Sequence, residues 1–216
     1  MVDKLKGARF RLINEKLYIS ESAKSGDIFA ENYSSFEVYH DGYRKQVNKW
    51  PINPVDVIFK DLSHRVQNEK LNIADFGCGD AILAQKLVTA TVHSFDIVAA
   101  NDRVTACDMR NTNLLTNSVD VAVFCLSLMS SCVSDCIIEA NRVLKNGGIM
   151  KIADVESRFE CVDQFINDMT SFGFKLISKD YSCNIFLFLD FRKFSSISVS
   201  KKLPNVSLKP CMYKKR

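Results

Sequence analysis

Three aspartates, Asp75, Asp96 and Asp108, each follow an apolar run, and the first of them leads into a glycine turn, Gly77-Cys78-Gly79, within the stretch LNIADFGCGDA from Leu71 to Ala81. A glycine turn between a strand and a helix lets a ligand approach the backbone closely, at the strand end where open α/β sheets bind ligands. A dinucleotide fingerprint would need a third glycine at the position of Ile82, and no G-K-[ST] occurs for a nucleoside triphosphate. Pyrophosphate is therefore disfavoured. A ligand with an amino acid at one end and an adenosine at the other suits the pattern better. Asp75 would meet its ammonium group, and Asp96, about twenty residues on, would accept from the ribose hydroxyls. Asp108 would take the adenine amino group while the thioether of Met109 lies against the ring. S-adenosylmethionine has that shape, and the three acidic strand ends in this order point to a methyltransferase.

The elements that must carry these residues read as alternating strands and helices from residue 71 onward, the βαβ pattern of a parallel sheet covered by helices. Strands are expected at 71–76, 92–97, 104–108, 119–127 and 148–155, buried on both faces. Asn53-Pro54 fits a cap and first turn for a helix with Val55, Ile58, Leu62 and Val66 on one face. Asp80 is read as the cap of a second helix. A third is expected from Ser134 to Leu144, ending in Asn146-Gly147-Gly148, and a fourth over 160–171. The runs Phe174 to Asp180 and Ile185 to Phe194 are too close for a helical crossover and predict an antiparallel hairpin. The expected fold is a Rossmann-like class I methyltransferase, a seven-stranded, mostly parallel sheet with a C-terminal antiparallel hairpin. Residues 1–50 are read as a cap of two or three short helices, 51–194 as the core, and 195–216 as a basic tail whose stretch 195–210 looks loosely ordered.

The 216 residues, 47% hydrophobic, are enough for one sizeable core. The longest uncharged apolar run, Val121 to Met129, is far too short to span a bilayer, and the N-terminus does not resemble a signal peptide, so a soluble intracellular protein is expected with no membrane partner. Eight cysteines occur without a CxxC, mostly in apolar segments, where cysteine behaves as a small hydrophobe; no metal is expected. The net charge of +4 is modest, but Lys201, Lys202, Lys209, Lys214, Lys215 and Arg216 gather at one end, either as a solvated tail or as a phosphate contact.

The stretches GARFR (7–11), YHDGYRKQVNKWPINPVD (39–56), ADFGCGDA (74–81), VHSFDIVA (92–99), VTACDM (104–109), SVDVAVFCLSLM (118–129), EANRVLKNGG (139–148), SRFE (157–160) and KPCMYKKR (209–216) closely resemble the ribosomal RNA-processing protein 8 family, called nucleomethylin in animals. That resemblance implies a nucleolar, S-adenosylmethionine-dependent enzyme that methylates N1 of an adenine in large-subunit ribosomal RNA. Its partners would be that RNA or the pre-ribosome and, through a role also attributed to nucleomethylin, chromatin-silencing proteins. It implies cofactor contacts at His40, Gly77, Asp96, Asp108, Met109 and Cys125, to which the turn itself adds Asp75 and Gly79. Asn146 stands where the family usually has proline, and the long lysine-rich N-terminal extension typical of its larger members is not among these 216 residues.

Adenine N1 carries a lone pair, so positioning in a dry site should dominate over covalent help. N1 lies on the Watson–Crick edge, so the base must be unpaired, then stacked and read by polar groups. Enzymes acting on the exocyclic amine often carry Asn/Asp-Pro-Pro-aromatic after the fourth strand, where this chain has Cys125-Leu126-Ser127-Leu128-Met129, an apolar floor without an amide. Base-pocket candidates are Tyr39, Tyr43, Trp50 and Ser127, with Arg44 as a phosphate or carboxylate partner and Arg158, beside Phe159, as a candidate substrate contact. His64 and His93 are read as structural.

Overall fold

The computed structural model describes residues 2–19, 33–129, 133–181, 185–198 and 202–211. The turn of the expected hairpin at 182–184, Cys132, Lys201 and the last five residues fall outside them.

Seven strands form one sheet: β1 (Asn72–Phe76), β2 (Thr91–Asp96), β3 (Val104–Ala106), β4 (Val119–Cys125), β5 (Leu144–Val155), β6 (Phe174–Asp180) and β7 (Phe186–Lys193). Their order is β3-β2-β1-β4-β5-β7-β6; β7 runs antiparallel to β5 and β6, and the remaining pairs are parallel. The sheet therefore has the expected hairpin. Helices α1 (Val2–Ile19), α2 (Tyr33–Val47), α3 (Pro54–Val66), α4 (Ile82–Lys86), α5 (Val133–Val143) and α6 (Val162–Ser171) complete the elements, with a 3-10 turn at Glu156–Arg158.

Alternation along each central strand sends its side chains to two cores. Ala74 and Phe76 of β1, with Phe124 and Ile152, pack under α5 and α6. Ile73, with Val121 and Val123, packs under α3 and α4 through Ile58, Leu62 and Leu83. Phe76 stacks on Phe124 at 4.9 Å and 14° between ring planes, which fixes the strand end just before the glycine turn. Asn53 accepts from Val55 N–H and Pro54 opens α3, as the sequence indicates.

Residues 1–50 differ from expectation in form. Within the described residues they hold α1 of 18 residues and α2 of 15, both longer than the short helices expected. They pack together where Gly42 of α2 meets the ring of Phe10: a Cβ at Gly42 would sit 2.4 Å from that ring. Ile13, Leu17 and Phe36 form a third small core against Ile97, Val98 and Met129, which joins the helix pair to the ends of the strands.

The reading of 195–210 as loosely ordered is corrected. Residues 202–211 have no regular secondary structure, yet they lie on the body: Val206 is buried, its N–H donates to Ser134 Oγ, and Lys209 N–H donates to Arg158 O. Irregular backbone without periodic apolar residues leaves little sequence signal of such docking. Among the described residues, no helix is long and apolar enough to cross a membrane.

Candidate functional site

A cavity of about 390 Å³ opens at the carboxyl ends of β1 to β4, roofed by α2. All eight expected cofactor contacts, His40, Asp75, Gly77, Gly79, Asp96, Asp108, Met109 and Cys125, line it. So do Tyr39, Tyr43, Arg44 and Ser127 among the substrate candidates.

The glycine turn is anchored before any side chain acts. Gly77 N–H and Cys78 N–H both donate to Phe95 O of β2, at 2.8 and 2.9 Å, which bends the chain over the neighbouring strand. Gly77 has φ +72° and Gly79 φ +56°, a region that favours glycine. At Gly77 a Cβ would also lie 2.4 Å from Ser127 Cβ, so the turn and the run after β4 touch there. Gly79 N–H donates to Asp96 at 2.8 Å, and Ile97 N–H donates to the other carboxylate oxygen at 2.7 Å. Asp96 is thereby oriented, with lone pairs left for two hydroxyls.

Asp75 faces the cavity differently. It is buried, and its carboxylate has no hydrogen-bond donor among the described residues. Burial first, and then the charge of Asp96, push it up to about 7. A buried carboxylate without a partner is costly, and a cation from a ligand would relieve it. His40, on α2 above Gly79, is nearly buried, and desolvation lowers its pKa against the raising influence of Asp96 and Asp80. Burial thus favours the neutral imidazole. Burial also pushes the thiols of Cys78 and Cys125 up, so both stay protonated and neither is an activated nucleophile.

Asp108 is already in use. Arg110 binds it through Nε and Nη2, and Arg110 N–H is a third donor at 2.9 Å, which together hold the carboxyl below its ordinary value. An adenine amino group would share this carboxylate with Arg110. Asp80 corrects the sequence reading: α4 starts from Ala81 in a left-handed conformation with no side-chain cap, and the Asp80 carboxylate accepts from Arg44 Nη1 at 3.0 and 3.1 Å. Arg44 also binds Asp41 at 2.6 Å. This links α2 to the glycine turn across the cavity mouth.

Two substrate candidates stand apart. Trp50 packs edge-on against Phe186 at 5.1 Å and against Tyr43 at 5.9 Å, joining the end of α2 to β7, outside the cavity lining. Arg158 is 1% exposed and ion-paired with Asp154, also outside the lining, so it cannot meet a substrate directly. Its charge partner lies only four residues upstream, but its other partners, the Leu128 and Lys209 carbonyls, are distant in sequence and the SRFE stretch does not reveal them. Sequence reasoning took Leu126 only as part of an apolar floor. It lines the cavity with φ +57°, a strained conformation for leucine that no sequence pattern signals. Asn53, read only as a helix cap, lines the cavity as well.

The donor set fits the expected ligand: an unpartnered buried carboxylate, an oriented carboxylate with spare lone pairs, a thioether and a backbone turn without side chains. Among the described residues no three His, Cys, Asp or Glu side chains are grouped to hold a metal ion.

The sequence profile of a family described as a hypothetical methyltransferase matches residues 1–216. Ribosomal RNA-processing protein 8 of Mus musculus is 47% identical over all of this chain and 47% of its own length. The Arabidopsis thaliana protein of the same name is 42% identical over 99% of this chain and 76% of its own. The Schizosaccharomyces pombe relative, named 25S rRNA (adenine(645)-N(1))-methyltransferase, is 41% identical over all of this chain and 71% of its own. The chain spans about half the length of its rodent relatives. Among solved structures, the Burkholderia thailandensis 1,6-didemethyltoxoflavin-N1-methyltransferase, which holds S-adenosylhomocysteine, superposes with a TM-score of 0.62 over 82% of this chain and 92% of that one, at 14% identity. The [4+2]-cyclase SpnF superposes with a TM-score of 0.53 over 66% of this chain and 81% of that one, at 16% identity, so likeness of fold does not fix the reaction. The fold is that of class I methyltransferases, and because its residues match the profile and these relatives from end to end of the sequence, the chain belongs to the ribosomal RNA-processing protein 8 family.

Proposed function

We propose that this chain binds S-adenosylmethionine in the cavity and methylates N1 of an adenine in large-subunit ribosomal RNA, during ribosome assembly in the nucleolus. One observation carries the reading: Asp75, Asp96 and Asp108 meet at one cavity in strand order, the first of them buried and without a donor among the described residues. Membership of a family with a relative named for adenine-N1 methylation of 25S rRNA supports the choice of substrate.

When bound, S-adenosylmethionine supplies an electrophilic methyl group on a sulfonium. Each residue then has a task that its surroundings allow. Asp75 neutralises an ammonium group, Asp96 accepts from ribose hydroxyls, and Asp108 with Met109 holds the adenine of the cofactor. His40 closes over the glycine turn from α2. Tyr39 and Tyr43 offer ring faces for the target base, and Leu126 and Ser127 form the floor beneath it. The protonated thiols and apolar lining keep water out, so the lone pair on N1 needs orientation more than proton removal.

Comparing adenine-N1 methylation across ribosomal RNA from cells with and without the gene tests the reading. One adenine should lose its methyl group when the gene is removed and regain it when the wild-type gene is returned. An unchanged map would contradict it.

A further inference from the structure

The floor of the cavity, Leu126 to Met129, must hold its place for methyl transfer, and few of its own bonds hold it. Leu126 N–H donates to Ala153 O at 2.8 Å, while its backbone sits in the left-handed region. Ser127 Oγ is buried with no hydrogen-bond partner among the described residues. A buried hydroxyl left unpaired is unfavourable, and it persists where a ligand completes it.

Tyr39 Oη donates to Met129 Sδ at 3.4 Å, and a further, deeply buried anchor of this run is Arg158. Its Nη2 donates to Leu128 O at 2.5 Å, its Nη1 to the Asp154 carboxylate, and its Nε to Lys209 O at 2.8 Å. The guanidinium lies over the ring of Tyr18 at 4.8 Å, and Arg158 O accepts from Lys209 N–H. Nearby, Asn14 Nδ2 donates to Cys211 O at 2.9 Å. One side chain thus joins α1, the floor, the end of β5 and the C-terminal segment. A buried ion pair is weak evidence for stability, since a well-packed apolar pair often serves as well. What an apolar pair cannot do is hold the Leu128 carbonyl.

We propose that Arg158 is a positioning residue for methyl transfer: its bond to the Leu128 carbonyl fixes the floor so that Ser127 Oγ and the Leu126 backbone face the reacting base. Its contacts with Tyr18 and Lys209 make that placement depend on α1 and the C-terminal segment being docked. The inference rests on the proposed RNA methylation, in which a misplacement of about 1 Å can cost roughly a hundredfold in rate.

Two variants test it. Arg158→Lys keeps the charge but cannot span four partners. The pair Asp154→Leu with Arg158→Met removes the hold on Leu128 without stranding a buried carboxylate. Each is compared with wild type by thermal melting, by calorimetry with S-adenosylmethionine, by kcat and KM on unmethylated large-subunit ribosomal RNA, and by the ¹³C-methyl resonance of Met129 without ligand. The expected result is a cooperative melt, cofactor Kd and RNA KM within about threefold of wild type, kcat lower by about tenfold or more, and a shifted Met129 resonance. If kcat and the Met129 resonance stay at wild type, or if kcat falls only in step with cofactor affinity, the positioning role is overturned. Should the wild-type chain fail to methylate RNA, that failure belongs to the functional reading, and the Met129 resonance alone decides: unmoved in both variants, it overturns the role of Arg158.

Discussion

Asp75 gives the site its pH dependence. Its folded pKa of about 7, against an ordinary 3.8, comes from burial and then from Asp96, so at lower pH it is protonated and cannot meet an ammonium group as a carboxylate. A ligand that needs the ionised form must displace that proton. Affinity for S-adenosylmethionine should therefore rise with pH, by up to about tenfold per unit, and level off above about 7. Calorimetry from pH 5.5 to 8 checks this, and Asp75→Asn should bind weakly with a shallower slope, since burial also raises the pKa of Asp96. Linkage also runs the other way for stability. A carboxyl whose folded pKa lies above its unfolded value stabilises below about pH 4, and that contribution is lost as pH rises to about 7. Asp75→Asn should accordingly melt higher than wild type at pH 8 and no higher at pH 4. Asp96→Ala should cost roughly 1.5 to 3 kcal/mol of cofactor affinity, since the ribose hydroxyls lose a charged acceptor. Calorimetry at one pH is sufficient, and unchanged affinity would remove Asp96 from the site.

At the scale of elements, α2 carries the roof residues Tyr39, His40, Tyr43 and Arg44, and α1 holds α2 from behind through Phe10. Gly42→Val should force the two helices apart, because its Cβ would meet the Phe10 ring at 2.4 Å. The expected outcome is a fall in melting temperature of several degrees and faster hydrogen exchange across residues 36–47, with the sheet amides unaffected. Wild-type exchange there should slow when S-adenosylmethionine is added; identical protection with and without it would show that the roof does not respond to ligand. The sheet is legible in sequence because strands buried on both faces read as continuous apolar runs, and the close spacing of the last two forces a hairpin. Asn53-Pro54 is legible because capping is local. The role of Asp80 is not: whether a residue beside a turn caps a helix or pairs with Arg44 depends on where α2 comes to lie, which no local pattern records. Arg158 and the docked segment at 202–211 are hidden for the same reason, since the partners of that guanidinium include backbone carbonyls and a ring thirty or more residues away.

For the whole molecule, the proposed function with a net charge of +4 leaves RNA contacts to local patches, with Lys45 and Lys49 on or just after α2, beside an Arg44 already paired with Asp41 and Asp80, and the exposed Lys202 and Lys209 on the docked segment. Deleting residues 201–216 would remove Val206 from the core and Lys209 from Arg158, so the melting temperature should fall. Each phosphate that the deleted residues neutralise should flatten the slope of log affinity against log salt by about 0.7 when they are removed. A lower melting temperature with an unchanged slope would make the segment purely structural. Turnover separates this function from that of a cofactor-sensing module, which would bind S-adenosylmethionine through the same residues. The most direct measurement incubates the purified chain with S-adenosylmethionine and unmethylated large-subunit ribosomal RNA and quantifies the nucleosides by mass spectrometry. The predicted result is 1-methyladenosine at one site, formed by wild type and much reduced with Asp96→Ala at subsaturating S-adenosylmethionine; tight cofactor binding with no 1-methyladenosine would contradict it.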